Sequence, residues 1–348
     1  MADVQAAEAT PILAVRNLRT YFHQDEGVVR AVDGASLEVH AGRTLGIVGE
    51  SGCGKSVTAR SILRIVERPG RIEGGSILLQ RENGSGTTET IDLTSLDPTG
   101  REMRAIRGRD IALVFQEPMT SLSAYYTVSN QIVEAIRQHG RLDKRAARQR
   151  AIDLLTMVGI PRPERRIDEY PFQLSGGLRQ RVMIAMALAA EPRILIADEP
   201  TTALDVTTQA QILDLLRRLQ RERGLALILI THDMGVIAEM ADEVVVMYLG
   251  RVVERGPVDQ IFHAPKHPYT RALLRSIPSI LATPRDRLAT VSGSIPHPYD
   301  RPPGCPFHPR CSDAIAGRCD RATPAMTTAP DRGAVSCFLY SEAEAVTA

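Results

Sequence analysis

Eight consecutive residues, Gly49-Glu50-Ser51-Gly52-Cys53-Gly54-Lys55-Ser56, fill every fixed position of the G-x-x-x-x-G-K-[ST] pattern. Glycines let a backbone fold tightly enough for its N–H groups to converge on phosphate oxygens. A helix start directly behind such a loop adds unpaired donors and a positive dipole end. Lys55 would then reach the β- and γ-phosphates, and the Ser56 hydroxyl would ligate Mg²⁺. The stretch predicts binding of a nucleoside triphosphate.

Other residues along the chain offer chemistry that a triphosphate could use. Ile194-Leu195-Ile196-Ala197 reads as a buried strand ending in Asp198-Glu199-Pro200. A carboxylate at such a strand end suits Asp198 to hold Mg²⁺, and Glu199 beside it suits a general base that polarises the attacking water. Leu225–Ile230 reads as another buried strand and ends at Thr231-His232-Asp233, which places His232 to hydrogen-bond a γ-phosphate. Gln116 follows the short apolar run Ile111–Phe115; it would touch Mg²⁺ or the attacking water, or be an ordinary loop amide. In Leu174-Ser175-Gly176-Gly177-Leu178-Arg179-Gln180-Arg181, Ser175 is placed as an N-cap, and Gly176 and Gly177 expose the amides of a first helical turn. That is a second anion-binding helix start. It fits an arrangement in which two subunits face each other, each supplying this loop to the other's nucleotide. Near the N-terminus, Phe22 is preferred over Tyr21 as a ring that stacks on a purine, against the plainer reading of an edge-strand aromatic packed on its own sheet.

These residues need a scaffold, and the pattern supplies one. Leu45–Val48 reads as the strand before the phosphate loop and 57–66 as the helix after it. Val15–Phe22 and Val28–Val39 read as strands, and 74–80 with 88–93 as a hairpin around the polar turn 82–86. From Glu117 to about Glu169 the pattern turns helical, with Lys144–Val158 carrying Ala147, Ile152, Leu155 and Val158 near helical spacing before Gly159 and Pro161. The charged run Arg141–Arg150 is read as a solvated helix face. Val182–Ala190 and Gln209–Arg221 are further helices, the latter preceded by the turn Thr202–Asp205.

At 348 residues, 43 % of them apolar, the chain has room for one large domain with an extension, or for two domains. A net charge of +1 gives no polybasic footprint, which argues against nucleic acid as a partner. Residues 1–14 lack a basic segment followed by an apolar core, so no signal peptide is expected. No apolar run approaches the roughly 18 residues of a membrane helix. The expectation is a soluble, cytoplasmic chain whose membrane role, if any, comes through a partner.

Taken together, Gly49–Ser56, Gln116, Leu174–Arg181, Asp198-Glu199, Thr202–Asp205 and His232 resemble the nucleotide-binding subunit of an ABC transporter. The resemblance covers roughly residues 12–255. It implies an α/β fold: a RecA-like P-loop ATPase core with an antiparallel β subdomain, an inserted helical subdomain at about 117–185, and a Cys/Pro-rich C-terminal extension over 256–348. It implies ATP and Mg²⁺ as ligands, and adds Asp205 of the D-loop to the nucleotide site. The tail segments Ala264–Thr270, Leu273–Pro278 and Pro302–Cys311 resemble the extension of oligopeptide/dipeptide importer ATPases. That subfamily implies two integral-membrane permeases, an extracytoplasmic solute-binding protein and a second, different ATPase chain in a head-to-tail dimer at the cytoplasmic face of the inner membrane. Cargo in the subfamily spans peptides, oligosaccharides and nickel chelates. A permease helix would sit beside Gln116, against 117–122 with Tyr125 and Tyr126; the other reading packs one or both tyrosines inside the helical subdomain. A soluble ABC ATPase acting on nucleic acid or the ribosome is the competing reading, without the tandem domains or basic patch such proteins show.

Four of the five cysteines, Cys305, Cys311, Cys319 and Cys337, lie in the tail, and the fifth is Cys53. A cytoplasmic setting disfavours disulfides. Spacings of C-x5-C, C-x7-C and C-x17-C are looser than zinc ribbons and leave a [4Fe–4S] cluster, Zn²⁺ or free thiols open. The subfamily resemblance tips the expectation toward a structural [4Fe–4S] cluster.

Overall fold

The computed structural model describes residues 10–82, 87–117, 121–202, 204–277, 291–328 and 333–341. The chain forms two compact units: Met1–Arg16, Leu37–Thr44 and Ser76–Ile228 in the first, and Asn17–Ser36, Leu45–Gly75 and Leu229–Ala348 in the second.

In the second unit, strands β1 (Leu13–Gln24), β2 (Gly27–Val39) and β4 (Gly70–Glu82) contribute part of an antiparallel sheet of order β2-β1-β4. A separate sheet here runs β11 (Thr327–Thr328), β12 (Ala334–Val335), β10 (Arg251–Pro257), β9 (Glu243–Tyr248) and β3 (Thr44–Val48). β3 pairs parallel to β9, Ile47 opposite Val245, and all five residues of β3 are buried. Covered on both faces, it reads as an unbroken apolar run with no alternation. The helix behind it, α1, spans Lys55–Ile62 and not the expected 57–66; it starts inside the phosphate loop and stops where Arg64 takes a left-handed turn (φ 55°). The β9–β10 hairpin and helices α8 (Met234–Met240), α9 (Val258–His263) and α10 (Pro268–Arg275) have no counterpart in the sequence reading.

In the first unit, the remaining parts of β1, β2 and β4 pair with β5 (Thr88–Asp92) in the order β2-β1-β4-β5, and β4 meets β5 as the expected hairpin, Leu79 opposite Ile91. The turn residues 83–86 lie outside the described ones. The buried strands β8 (Ala226–Ile230, its first three residues here), β7 (Ile194–Asp198) and β6 (Ile111–Val114) lie side by side, with β6 parallel to β7. The helices are α2 (Arg101–Arg109), α3 (Val128–His139), α4 (Lys144–Met157), α5 (Pro163–Arg166), α6 (Gly176–Ala187) and α7 (Val206–Arg223). In α4, Ala147, Ala151, Leu154 and Leu155 turn inward, while on its other face Arg148 forks Asp168 at 2.8 Å through both terminal nitrogens, and Arg150 pairs with Glu191. No helix among the described residues is long and apolar enough to cross a membrane.

Candidate functional site

The second unit carries the phosphate loop. Gly54 is the N-cap of α1 with φ +101°, and a Cβ there would sit 2.1 Å from the Ala31 carbonyl oxygen. Only glycine fits that approach. Lys55 is 5 % exposed, and its Nζ donates to the carbonyls of Gly49 (2.7 Å) and Glu50 (3.1 Å), so the ammonium is curled over the loop it serves. Ser51 and Gly52 face solvent, and Ser56 is the second residue of α1. The buried Cys53 thiol is pushed up by burial against the pull of Lys55, and its carbonyl accepts from the Gly250 N–H at 2.9 Å.

Glu50 behaves differently from its neighbours. Its N–H donates to the Tyr269 hydroxyl oxygen at 2.9 Å, and its carboxylate is forked by Arg310, Nη1 at 2.7 Å and Nη2 at 3.0 Å. A carboxylate beside a triphosphate repels it unless a cation pairs with it. Here one does.

Phe22 is half-buried, its ring close to Gly70, where an added Cβ would lie 2.6 Å from Phe22 Cε1. Tyr21 is engaged elsewhere: its hydroxyl donates to Asp33 at 2.7 Å, and Arg30 lies over its ring at 5.7 Å. Arg251 and Arg301 also reach Asp33. Burial works against ionising Asp33, yet Tyr21, Arg251 and Arg301 together hold it below the usual carboxylate range. His232 is exposed just past β8, and the next residue, Asp233, caps α8 by accepting from the N–H groups of Gly235 (2.8 Å) and Val236 (3.3 Å).

The first unit carries the acidic residues and the second helix start. β7 delivers Asp198, 6 % exposed, to its C-terminal end. Glu199 follows in the left-handed region (φ 46°), a conformation non-glycine residues adopt at a cost of roughly 1 kcal/mol or more. Its Oε2 accepts from the Gln116 amide (3.1 Å) and the Thr202 hydroxyl (2.8 Å). Gln116 and Glu199, 83 residues apart, therefore meet directly. Two donors on one oxygen fix the direction of the carboxylate. Asp205 is the N-cap of α7, accepting from the Thr208 N–H (2.9 Å) and hydroxyl (2.7 Å), which hold its carboxyl below the usual range. Ser175 caps α6 as expected, accepting from Leu178 at 3.4 Å. The helix begins at Gly176, directly behind that cap, with Ser175 and Gly176 exposed. Gly177 packs so near α7 that a Cβ would fall 2.4 Å from Thr208 Cγ2. Tyr125 and Tyr126 are 89 % and 58 % exposed, so neither packs inside; residues 118–120 lie outside the described ones.

The tail cysteines leave the expected metal site without structural support. All four thiols are free, with Cys337 buried and Cys305, Cys311 and Cys319 half-buried. Among the described residues no group of three or more His, Cys, Asp or Glu side chains is arranged to hold a metal ion. The geometry thus does not support the [4Fe–4S] cluster, or the alternative Zn²⁺, expected at Cys305, Cys311, Cys319 and Cys337. Local hydrogen bonds shape this loop: Cys305 N–H donates to the Cys319 carbonyl at 2.8 Å, and Ile315 N–H to Cys319 Sγ at 3.3 Å. Burial first, and then the other three thiols, push Cys337 up to about 11.

Tyr269 and Arg310 escaped the sequence reading as contributors to the site. They lie 219 and 260 residues from Glu50, and no period or motif spacing links such positions.

Comparison with known proteins shows the family. Residues 32–202 match the family model "ABC transporter", and residues 253–319 match "Oligopeptide/dipeptide transporter, C-terminal region". Among solved structures, the chain is similar to the ATP-binding cassette MJ0796 in a dimeric post-hydrolysis state bound to ADP and Pi: TM-score 0.61, 28 % identity, covering 71 % of this chain and 98 % of that one. The fold is that of an ABC-type ATPase. The chain is also 48 % identical to the dipeptide transport ATP-binding protein DppD of Escherichia coli, over 94 % of this chain and 96 % of that protein. With the oligopeptide transport ATP-binding protein AppD of Bacillus subtilis the identity is 47 %, over 95 % and 97 %. The chain belongs to the ABC transporter ATP-binding subunits, in the oligopeptide/dipeptide branch.

Proposed function

We propose that this chain hydrolyses ATP to power uptake of peptides through a membrane importer. The observation that carries the chemistry is Glu199, oriented by the Gln116 amide and the Thr202 hydroxyl directly after the buried Asp198. Gly49, Ser51, Gly52, Cys53 and Gly54 present amides to the phosphates, Lys55 neutralises their charge, and Phe22 takes the base. Asp198, Ser56 and Gln116 each carry the kind of hard oxygen that Mg²⁺ prefers, and the ion would neutralise charge developing on the phosphoryl oxygens. Glu199 accepts the proton of the attacking water, and His232 hydrogen-bonds the γ-phosphate. Ser175, Gly176, Gly177 and Asp205 serve the nucleotide of a second ATPase chain in a head-to-tail dimer, a reading supported by the exposed start of α6. Residues 1–255 form the nucleotide-binding domain, with a helical subdomain at about 117–185, and 256–348 the extension.

The named relatives support peptide as cargo. The subfamily resemblance adds two permeases, a solute-binding protein and a place at the cytoplasmic face of the inner membrane. In the tail, the four thiols remain a candidate metal site, with [4Fe–4S] ahead of Zn²⁺, supported by their mutual effect on ionisation and opposed by their arrangement. Brown, anaerobically purified protein with iron and sulfide would establish the cluster; colourless, metal-free protein would end the proposal.

Glu199→Gln tests the chemistry. Nucleotide binding should persist while hydrolysis falls by roughly 10²–10⁴-fold. Normal turnover would remove Glu199 from the base role.

A further inference from the structure

Glu50 is the odd residue of the phosphate loop, and both of its polar ends are held by the C-terminal tail. Tyr269 is fully buried, and its hydroxyl accepts the Glu50 N–H at 2.9 Å. Its ring lies 4.7 Å from Tyr248 and 5.3 Å from Phe307. The Arg310 side chain, 4 % exposed, spends every nitrogen. Nη1 reaches Glu50 and, at 3.3 Å, the Tyr248 hydroxyl; Nη2 reaches Glu50 and the Val291 carbonyl; Nε donates to the Ser292 carbonyl at 2.9 Å. The guanidinium also lies over the Tyr248 and Phe307 rings, at 5.8 and 6.0 Å. A planar fork matched to a carboxylate fixes direction as well as distance, which a lysine cannot do.

We propose that Arg310 and Tyr269 are positioning residues for ATP binding: a latch from the tail that sets the phosphate loop and cancels the Glu50 charge before nucleotide arrives. The proposal rests on reading Gly49–Ser56 as the nucleotide loop. Two functions follow from two contacts on one residue. The Tyr269 hydroxyl fixes the loop's first turn through the Glu50 amide, so less ordering is left for ATP to impose. Arg310 neutralises a carboxylate that would otherwise oppose a triphosphate carrying several negative charges. The tail is thereby part of the ATP site without touching ATP.

The test is ATP binding and steady-state hydrolysis by the full chain and its variants. Arg310→Gln leaves the Glu50 charge unpaired, and KM for ATP should rise about tenfold or more, a larger change than the fall in kcat. Arg310→Lys should recover part of the loss, since charge returns without the fork. Glu50→Gln removes the charge that needs cancelling, so Glu50→Gln with Arg310→Gln should bind ATP no worse than Arg310→Gln alone. Tyr269→Phe keeps the ring packing and deletes only the acceptor. It should weaken ATP binding severalfold with nucleotide-free thermal stability retained, and it serves if Arg310→Gln does not fold. A wild-type chain that fails to bind ATP overturns the nucleotide reading. A wild-type chain that binds, with unchanged KM in Arg310→Gln and Tyr269→Phe or strictly additive losses in the double variant, overturns the latch.

Discussion

Acid should loosen the tail through His267. This side chain is 1 % exposed at the N-cap of α10, where its Nδ1 accepts the Tyr269 N–H at 3.0 Å. Nδ1 must therefore be unprotonated, with the proton on Nε2. Burial, reinforced by Arg271, pushes the imidazole down from 6.5 to about 3. The unfolded chain keeps the ordinary value, so below about pH 6.5 it binds a proton that the folded chain refuses, and stability falls as pH falls. At pH 5 the gap of about 1.5 units between pH and the unfolded value costs about 2 kcal/mol, and hardly any of that cost is present at pH 7. The figure barely changes whether the folded value lies at 3 or at 4, because either is well below pH 5. Other groups also respond to acid. The Glu254 carboxyl, which accepts from the N–H groups of Lys266 (2.7 Å) and His267 (2.9 Å), is raised by burial, so its protonation in acid favours the folded chain. Asp33 is lowered and so loses stabilising charge as pH falls, below its unfolded value. Comparison with His267→Asn, whose side-chain oxygen can still cap Tyr269, subtracts these contributions. Urea unfolding of both chains at pH 7 and pH 5 is the assay. Wild type should lose about 2 kcal/mol more than the variant on acidification. Equal losses would refute the buried neutral imidazole, and with it the argument that acid acts on the helix bearing Tyr269.

Two further outcomes follow from geometry. Gly54→Ala places a methyl 2.1 Å from the Ala31 carbonyl at φ +101°, so the loop must distort; ATP binding should be lost, with stability down by about 1–3 kcal/mol, and wild-type affinity in a titration would contradict the close approach. Tyr125→Ala with Tyr126→Ala removes exposed rings and should leave ATP binding intact while weakening assembly with permeases or lowering transport per ATP; normal assembly and coupling in a reconstituted complex would exclude this surface.

Strands covered on both faces are legible from the sequence: β3, β7 and β8 read as apolar runs, and Gly49, Asp198 and His232 lie at or just past their C-terminal ends. The start of α1 differs from the expected Val57 because it begins at Lys55, inside a glycine-rich segment, and glycines read as turns until a ligand-facing helix start is required of them; α6 starts at Gly176, directly behind its Ser175 cap, where the capping pattern places it. The β9–β10 hairpin lies between motifs, so Val244–Val246, although strongly β-forming, carries no motif that would mark it as functional. Gln116 and Glu199 each showed as a polar residue at a strand end, but their hydrogen bond is a tertiary fact.

The latch is the instructive omission. A carboxylate among amides that gather phosphate is a conflict visible in the sequence itself, at Glu50, and physics requires a cation to resolve it. The chain offers 42 lysines and arginines, so the demand is legible while the supplier is not. What selects Arg310 is packing: Tyr248 from β9, Tyr269 from α10 and Phe307 from the tail loop build an apolar wall that holds one guanidinium flat against Glu50. Those aromatic residues look like ordinary core in sequence, since burial alone accounts for them. Their second role exists only because strands and helices far apart in the chain converge behind the phosphate loop. A search for the partner of an unexplained charge, carried out on structure, recovers such a residue where motif reading cannot.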